Sequence, residues 1–268
     1  MNFKTIVVSE NALVRTITLH RPERRNAMTP EMQMELISAL EDATSSNCRV
    51  LVLAGAGQAF CAGLDLSALQ AMQDKGAAEH RVDAERIARL FLALYELPIP
   101  TIAAVHGAAI AGGAGLAFIC DFTLATPAAK FGFTEVRIGF VPALVSAFLA
   151  LQIADKKSRD LLLTGRLFDT DEAHRLGLVN EIVAPEKLTE RVQGLAEVLI
   201  ANSPQSLAAT KLLLAQQNKA RLDVAIARAL ETSAVSRETK DFREGITAFL
   251  EKRKPEWGKG SRAKPRPR

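Results

Sequence analysis

The sequence predicts an α/β body followed by an almost entirely helical C-terminal part, on three observations. Short aliphatic runs alternate with helical periodicity through the first half. Two of those runs end in glycine-rich turns, Gly55-Ala56-Gly57 and Gly107 to Gly115. From Pro142 onward nearly every segment has helical spacing, and only Val179 to Val183 reads as a strand.

Lys4 to Ser9 and Leu13 to His20 read as strands around a turn at Glu10-Asn11. Thr29-Pro30 offers a helix start with proline at the first helical position, and that helix is expected to run to about Ala43. Arg49 to Ala54 is a buried strand. Helical spacing fills Ala77 to Leu94, and Pro98 and Pro100 precede a strand at Thr101 to Val105. A short apolar helix is expected from Gly112 to Ile119, then a strand at Asp121 to Ala125. The helices of the second half are expected at Ala143 to Ala154, Lys156 to Leu163, Asp171 to Leu176, Pro185 to Ala201, Pro204 to Gln216, Leu222 to Ser236 and Lys240 to Arg253. Leu97 to Cys120 and Ile138 to Ala154 carry no formal charge. The first is interrupted by two prolines and four further breakers, the second is short and carries Pro142, so both read as buried core rather than membrane spans.

The formal charge of +4 hides an asymmetry. The stretch from Lys252 to Arg268 holds eight of the 34 basic residues and one of the 30 acidic ones, leaving 26 basic and 29 acidic groups elsewhere. The body is mildly acidic, and Gly258 to Arg268 reads as a disordered basic tail. Cys48, Cys61 and Cys120 form neither a zinc pattern nor a disulfide framework, which suggests a reduced, cytoplasmic setting, and Met1 to Glu10 lacks the apolar segment of a signal peptide. The four histidines show no ligand spacing, so no metal is expected. Gly55-Ala56-Gly57-Gln58-Ala59-Phe60 begins like a dinucleotide fingerprint, but phenylalanine stands at the third glycine position.

Three segments carry chemistry. In Phe60-Cys61-Ala62-Gly63-Leu64-Asp65-Leu66, small residues let a ligand approach the backbone, although the segment alone also fits a plain tight turn. In His106 to Leu116 a strand ends, glycines follow and an apolar helix begins. The first amides of such a helix have no internal acceptor and suit a developing negative oxygen; close helix packing would also explain the glycines. In Phe131 to Phe140, Glu135 is one carboxylate among apolar residues, where burial would raise its pKa into the range useful for proton transfer; a surface pair with Arg137 on one strand face fits the same residues.

Together these segments resemble the enoyl-CoA hydratase/isomerase (crotonase) superfamily. The likeness runs from Arg21-Pro22 and Asn26-Ala27 through Thr164-Gly165-Arg166, Glu172-Ala173 and Gly177-Leu178-Val179 to Phe249-Leu250-Glu251-Lys252-Arg253. It implies a spiral of ββα units as an α/β core over 1–195, a helical trimerisation and CoA-contact region over 196–257, and the basic tail over 258–268. It implies that the backbone amides of Leu64 and Gly112 hold a thioester oxygen, with Glu135 as the acid/base. It further implies CoA contacts at Ala62, Asp65, Lys252 and Phe249, and at Arg24. Coenzyme A is then part of an acyl-CoA substrate, with no separate cofactor, and the assembly is a homotrimer or a dimer of trimers.

The family's first glutamate falls on Gly115, which has no side chain to offer. That departure favours 3,2-enoyl-CoA isomerisation, which needs one base. The passage from Glu135 to Ser146 resembles bacterial methylglutaconyl-CoA hydratase-like members and tilts the expectation to water addition across a 2-enoyl-CoA. A non-catalytic CoA- or RNA-binding protein is the alternative of another class. The tail lacks aromatic residues for base stacking from Lys259 onward, so any nucleic-acid binding would be unspecific and salt-sensitive.

Overall fold

A computed structural model describes residues 3–258. Among these the strands are β1 (Ile6–Asn11), β2 (Val14–Leu19), β3 (Val50–Gly55), β4 (Ala59–Cys61), β5 (Thr101–Val105), β6 (Ala108–Ile110), β7 (Phe122–Ala125), β8 (Lys130–Gly132), β9 (Leu167–Asp169) and β10 (Glu181–Ile182). They form two sheets, one ordered β1-β2-β3-β5-β7-β10 and the other β4-β6-β8-β9. In the first, β1 and β2 are an antiparallel hairpin and the remaining pairs are parallel. In the second, β4, β6 and β8 are parallel and β9 closes the edge antiparallel.

The helices are α1 (Pro30–Ser45), α2 (Leu66–Ala71), α3 (Ala77–Tyr95), α4 (Gly112–Ile119), α5 (Ala143–Gln152), α6 (Asp155–Thr164), α7 (Thr170–Arg175), α8 (Leu188–Ala201), α9 (Pro204–Ser236) and α10 (Lys240–Leu250). Each successive pair β3-β4, β5-β6 and β7-β8 gives one strand to the large sheet and the next to the small sheet before a helix returns. This is a spiral of ββα units. The central strands β3 and β5 are almost wholly buried, as parallel strands covered on both faces require.

Local chemistry explains the firm boundaries. The Thr29 hydroxyl accepts from the Met32 amide at 3.2 Å and Pro30 opens α1, so cap and proline act where the sequence placed them. The buried face of α1 repeats at Met32, Leu36, Leu40 and Ala43 and closes on the main core. The β1–β2 turn lies at Ala12-Leu13 rather than Glu10-Asn11. Asn11 pairs with Val14, leaving a two-residue loop in which Ala12 takes a positive φ of 52°.

Two helices expected at Pro204 to Gln216 and Leu222 to Ser236 are one helix of 33 residues. The intervening Gln217, Asn218, Lys219, Ala220 and Arg221 include neither glycine nor proline, and Lys219 bonds Asp223 one turn on at 3.1 Å. Only the second half of α9 buries a face, through Leu222, Ile226, Ala229 and Ser233, against α3 and α5. The helix α8 crosses position 195, where the core was expected to give way to the C-terminal region, and packs on β3, β5 and β7. The expectation for the basic tail falls, from Lys259 onward, outside the described residues. No helix among the described residues is long and apolar enough to cross a membrane.

The continuity of α9 is testable. Asn218→Pro should destabilise the protein by about 3 kcal/mol in chemical denaturation, because it removes a mid-helix hydrogen bond and clashes with the preceding turn. A chain broken into two helices at this point would tolerate it.

Candidate active site

The small sheet places the site. Asn26, fully buried, donates through Nδ2 to the carbonyls of Ala56 and Ala59, both at 2.8 Å, and accepts from the Arg21 amide at 2.9 Å. The loop from Arg21 is thereby tied to the ends of β3 and β4. The Met28 amide then donates to the Gly63 carbonyl (2.7 Å), and the Asp65 amide to the Met28 carbonyl (2.9 Å). These bonds bracket Leu64 and leave its own amide out of the pairing.

Gly63 has φ 90°, open to glycine at little cost. A Cβ there would stand 2.9 Å from the Ile110 carbonyl oxygen and 3.6 Å from the Gly112 nitrogen, so the turn after β4 lies directly on the start of α4. The approach is closer still at Gly113, where a Cβ would come within 2.3 Å of the Cys61 carbonyl oxygen. The amides of Gly112, Gly113 and Ala114 are the first of α4 and have no acceptor one turn back within it. Ala111, just before them, has φ 52° and ψ −123°, a strained conformation for a residue with a Cβ, and its amide donates to the Gly132 carbonyl at 2.7 Å.

Leu64, Gly112, Ala62 and Glu135 all line one cavity of about 630 Å³, whose walls are otherwise mostly aliphatic and aromatic. Glu135 is not on a strand. It opens a 3₁₀ turn, Glu135–Ile138, closed by Gly139 in the left-handed conformation. It is 7 % exposed, which rules out the surface pair with Arg137, and its Oε2 atom has no hydrogen-bond partner. Burial raises its pKa to about 7, against a smaller lowering by its own backbone amide.

The remaining sequence-predicted residues fall in different places. Phe249 lines the same cavity and is more than half exposed. Lys252 lies just past α10 at φ 55°, exposed, its amide donating to the Phe249 carbonyl at 3.1 Å. Arg24 is exposed on the 3₁₀ turn Pro22–Arg24 and does not line the cavity, whereas its neighbour Arg25 does. The Asp65 carboxylate caps α2 by accepting from the Ser67 amide at 3.0 Å and pairs with Arg21 at 3.0 Å. Burial opposes that charge, but the Arg21 guanidinium and the Ala68 and Ser67 amides outweigh it and hold the carboxyl below its ordinary range. Its carboxylate is thus already engaged by the protein. His106 bonds the Gly57 carbonyl at 2.9 Å and also lies outside the cavity lining.

Position 115 is occupied from its neighbours. A Cβ on Gly115 would meet Val145 Cγ1 at 2.8 Å and Phe91 Cζ at 3.1 Å. Phe91 is held edge-on by Phe148, with ring centroids 5.9 Å apart, and Phe148 in turn by Tyr95 at 5.5 Å. Glu135 is the one carboxylate among the residues lining the cavity. The sequence reading missed Phe91, Val145 and Phe140, whose helical or loop context carries no motif, and the cations Arg25, Lys130 and Arg137 that line the same cavity.

The Enoyl-CoA hydratase/isomerase family model matches residues 9–260. A Thermus thermophilus protein provisionally named as an enoyl-CoA hydratase is 45% identical over 251 residues, covering 93% of this chain and 99% of its own length. The crotonyl-CoA hydratase of Syntrophomonas wolfei is 30% identical, covering 95% of this chain and 98% of its own. The crystal structure of an enoyl-CoA hydratase from Mycobacterium avium superposes with a TM-score of 0.84 at 34% identity, covering 94% and 98% of the two chains. The chain therefore belongs to the enoyl-CoA hydratase/isomerase family, with the crotonase fold.

The raised Glu135 pKa has a sign for stability. Between pH 4.5 and about 7 the folded state keeps a proton that the unfolded chain has released, so stability falls with rising pH across that window and stays lower above it. Glu135→Gln carries no such burden. It should gain up to about 3 kcal/mol over the parent at pH 8 and nothing near pH 4, read by urea denaturation at both pH values.

Proposed function

We propose that the chain adds water across the double bond of a 2-enoyl-CoA thioester, with Glu135 as its acid/base and the Leu64 and Gly112 amides as donors to the thioester oxygen. The observation that carries this reading is an unpaired, buried carboxyl in the same apolar cavity as the free amides at the start of α4. Ionised Glu135 takes a proton from water as the hydroxyl forms its bond to Cβ. The π electrons move onto the thioester oxygen, where the two N–H groups and the α4 dipole stabilise the enolate. Protonated Glu135 then returns its proton to Cα, the carbonyl reforms, and one water has been added. The aliphatic walls exclude bulk water from the enolate.

A second reading, 3,2-enoyl-CoA isomerisation, is favoured by one observation: Phe91 and Val145 fill the space that a side chain at position 115 would take. Isomerisation needs Glu135 alone, removing a proton from one carbon and returning it two carbons away. The hydratase names of the relatives favour the first reading. A panel of 2-enoyl- and 3-enoyl-CoA thioesters, read by mass spectrometry for a mass gain of one water against a shifted double bond, separates them. Gly115→Glu combined with Val145→Ala, which makes room, should introduce water addition into an isomerase and lower the activity of a hydratase.

In either reaction Glu135→Gln should lower turnover about 100-fold or more. For the parent enzyme kcat/KM should rise with pH to a plateau above about 7, because the base must be ionised. Gly112→Pro removes a donor and should cost about 100- to 1,000-fold, with circular dichroism to check folding, whereas Leu64→Ala keeps its amide and should cost far less. Equal losses in two folded variants would refute the backbone-amide account.

The same reading includes assembly as a homotrimer or dimer of trimers through the C-terminal helices. The support is apolar exposure there: Leu212, Leu213 and Leu214 on α9 are each more than half exposed, as is Phe249. Lys252 would then meet coenzyme A on a neighbouring subunit. Light scattering at micromolar concentration should give at least three chains; a monomer would remove both claims.

A further inference from the structure

The end of α9 carries an arginine that the reaction above does not use. Arg237 is wholly buried. Its Nη1 pairs with Asp83 of α3 at 2.7 Å and donates to the His80 carbonyl at 3.2 Å. Its guanidinium carbon lies 5.3 Å from the centroid of the Phe140 ring, while Nε and Nη2 have no partner. Asp83 is shared with Arg86, which also donates to Gln33 at 2.7 Å. The cluster holds two guanidinium groups and one carboxylate.

That composition is poor for stability. Unmet buried donors are costly, and apolar residues often replace buried ion pairs without loss. What the guanidinium supplies that an aliphatic chain cannot is a planar cation over the Phe140 ring, held there by Asp83 and the His80 carbonyl. Phe140 is the residue that ends the Glu135 turn. Its amide donates to the Glu135 carbonyl at 3.0 Å, and its side chain lines the cavity beside Glu135. Phe140 also packs on Phe242 of α10, with centroids 5.6 Å apart. The same helix α10 lies backbone to backbone on the turn: a Cβ on Gly139 would stand 2.1 Å from the Asp241 carbonyl oxygen, and one on Gly245 would stand 2.2 Å from that of Ile138. The turn is thus held by α10 against its backbone and, at its end, by Phe140, which packs on Phe242 of α10 and has Arg237 over its ring.

We infer that Arg237 is a positioning residue for Glu135: anchored to α3 through Asp83, it fixes Phe140 and through it the turn that holds the Glu135 carboxyl dry and aimed into the cavity. This rests on Glu135 being the acid/base. The other charged groups about the turn are Arg25, Lys130 and Arg137 along the cavity, Lys240, Asp241, Arg243 and Glu244 on α10, and the cluster that Asp160 of α6 forms with Arg166 and Glu172. None of them touches the Phe140 ring in the way Arg237 does.

The decisive variant is Arg237→Lys, which keeps the charge opposite Asp83 but lacks the planar fork that holds Asp83 and the His80 carbonyl while covering the ring. Its kcat should fall about 10- to 100-fold, with KM within about twofold, because the chemistry loses its geometry while the cavity keeps its walls. With charge conserved, water reaching a loosened turn should lower the apparent pKa of Glu135. That shift is read in the pH–rate profile, and independently of activity by carbon-13 NMR of glutamate-labelled protein, with Glu135→Gln identifying the resonance. Arg237→Met should lose at least as much kcat while unfolding no more readily than the parent. Phe140→Leu, which leaves the Arg237–Asp83 pair intact, should reproduce the kcat loss and serves if neither arginine variant folds. Unchanged kcat and unchanged Glu135 titration in a folded variant would overturn the inference. So would full rescue by lysine of what methionine loses, since charge alone would then suffice. If Glu135→Gln proves fully active, the functional reading fails, yet the NMR titration still reports whether Arg237 governs that carboxyl.

Discussion

A methyl group on Gly113 would stand 2.3 Å from the Cys61 carbonyl oxygen, and this contact between two stretches of backbone is the constraint on which the site depends. It brings the turn after β4 against the first turn of α4, so that two amides from distant parts of the chain, Leu64 and Gly112, border one cavity. Larger residues at the interface would push the two segments apart and separate the donors. The strained Ala111 shows how firmly the surroundings dictate this geometry, since the conformation persists in a residue that disfavours it.

The electrostatics of the cavity follow from what is left unpaired. Asp65 and Asp83 are also largely buried, but each is matched by arginine. Glu135 is the exception, with burial and no cation, and its proton affinity rises to about 7 for that reason. The feature that suits it to proton transfer is the same one that lowers stability when it ionises. Sites that move protons near neutrality accept this opposition between activity and stability.

Each ββα unit adds one strand to a sheet that builds the core and one to a smaller sheet whose following turns line the cavity. The large sheet and α8 form one apolar cluster, while Leu69, Phe140, Phe242 and Ile246 form another beside the cavity. The C-terminal helices therefore complete the site: α10 packs on the Glu135 turn, and the end of α9 supports Phe140. Beside Gly115, Phe91 and Val145 fill the space with apolar groups.

The sequence by itself determined the elements whose signals are local. Thr29-Pro30 announced α1, and the buried runs at Val50–Gly55 and Thr101–Val105 announced central strands; for Glu135 the sequence left a buried carboxyl and a surface pair with Arg137 both open, and folding decided for burial. Resemblance of motifs along the chain supplied the family. The strand expected at Val179 to Val183 is present as β10, but the four three-residue strands β4, β6, β8 and β9 were not legible, because three residues carry no period and pairing between distant segments defines the small sheet. Nor did composition reveal that α9 is continuous, since the absence of a helix breaker is weaker than the presence of one. Only the tertiary structure decided that Phe91 fills the place beside Gly115, that Asp65 turns its carboxylate to Arg21, and that Arg237 lies under Phe140. Each of these depends on side chains remote in sequence competing for the same space or charge, and that competition exists only once the chain has folded.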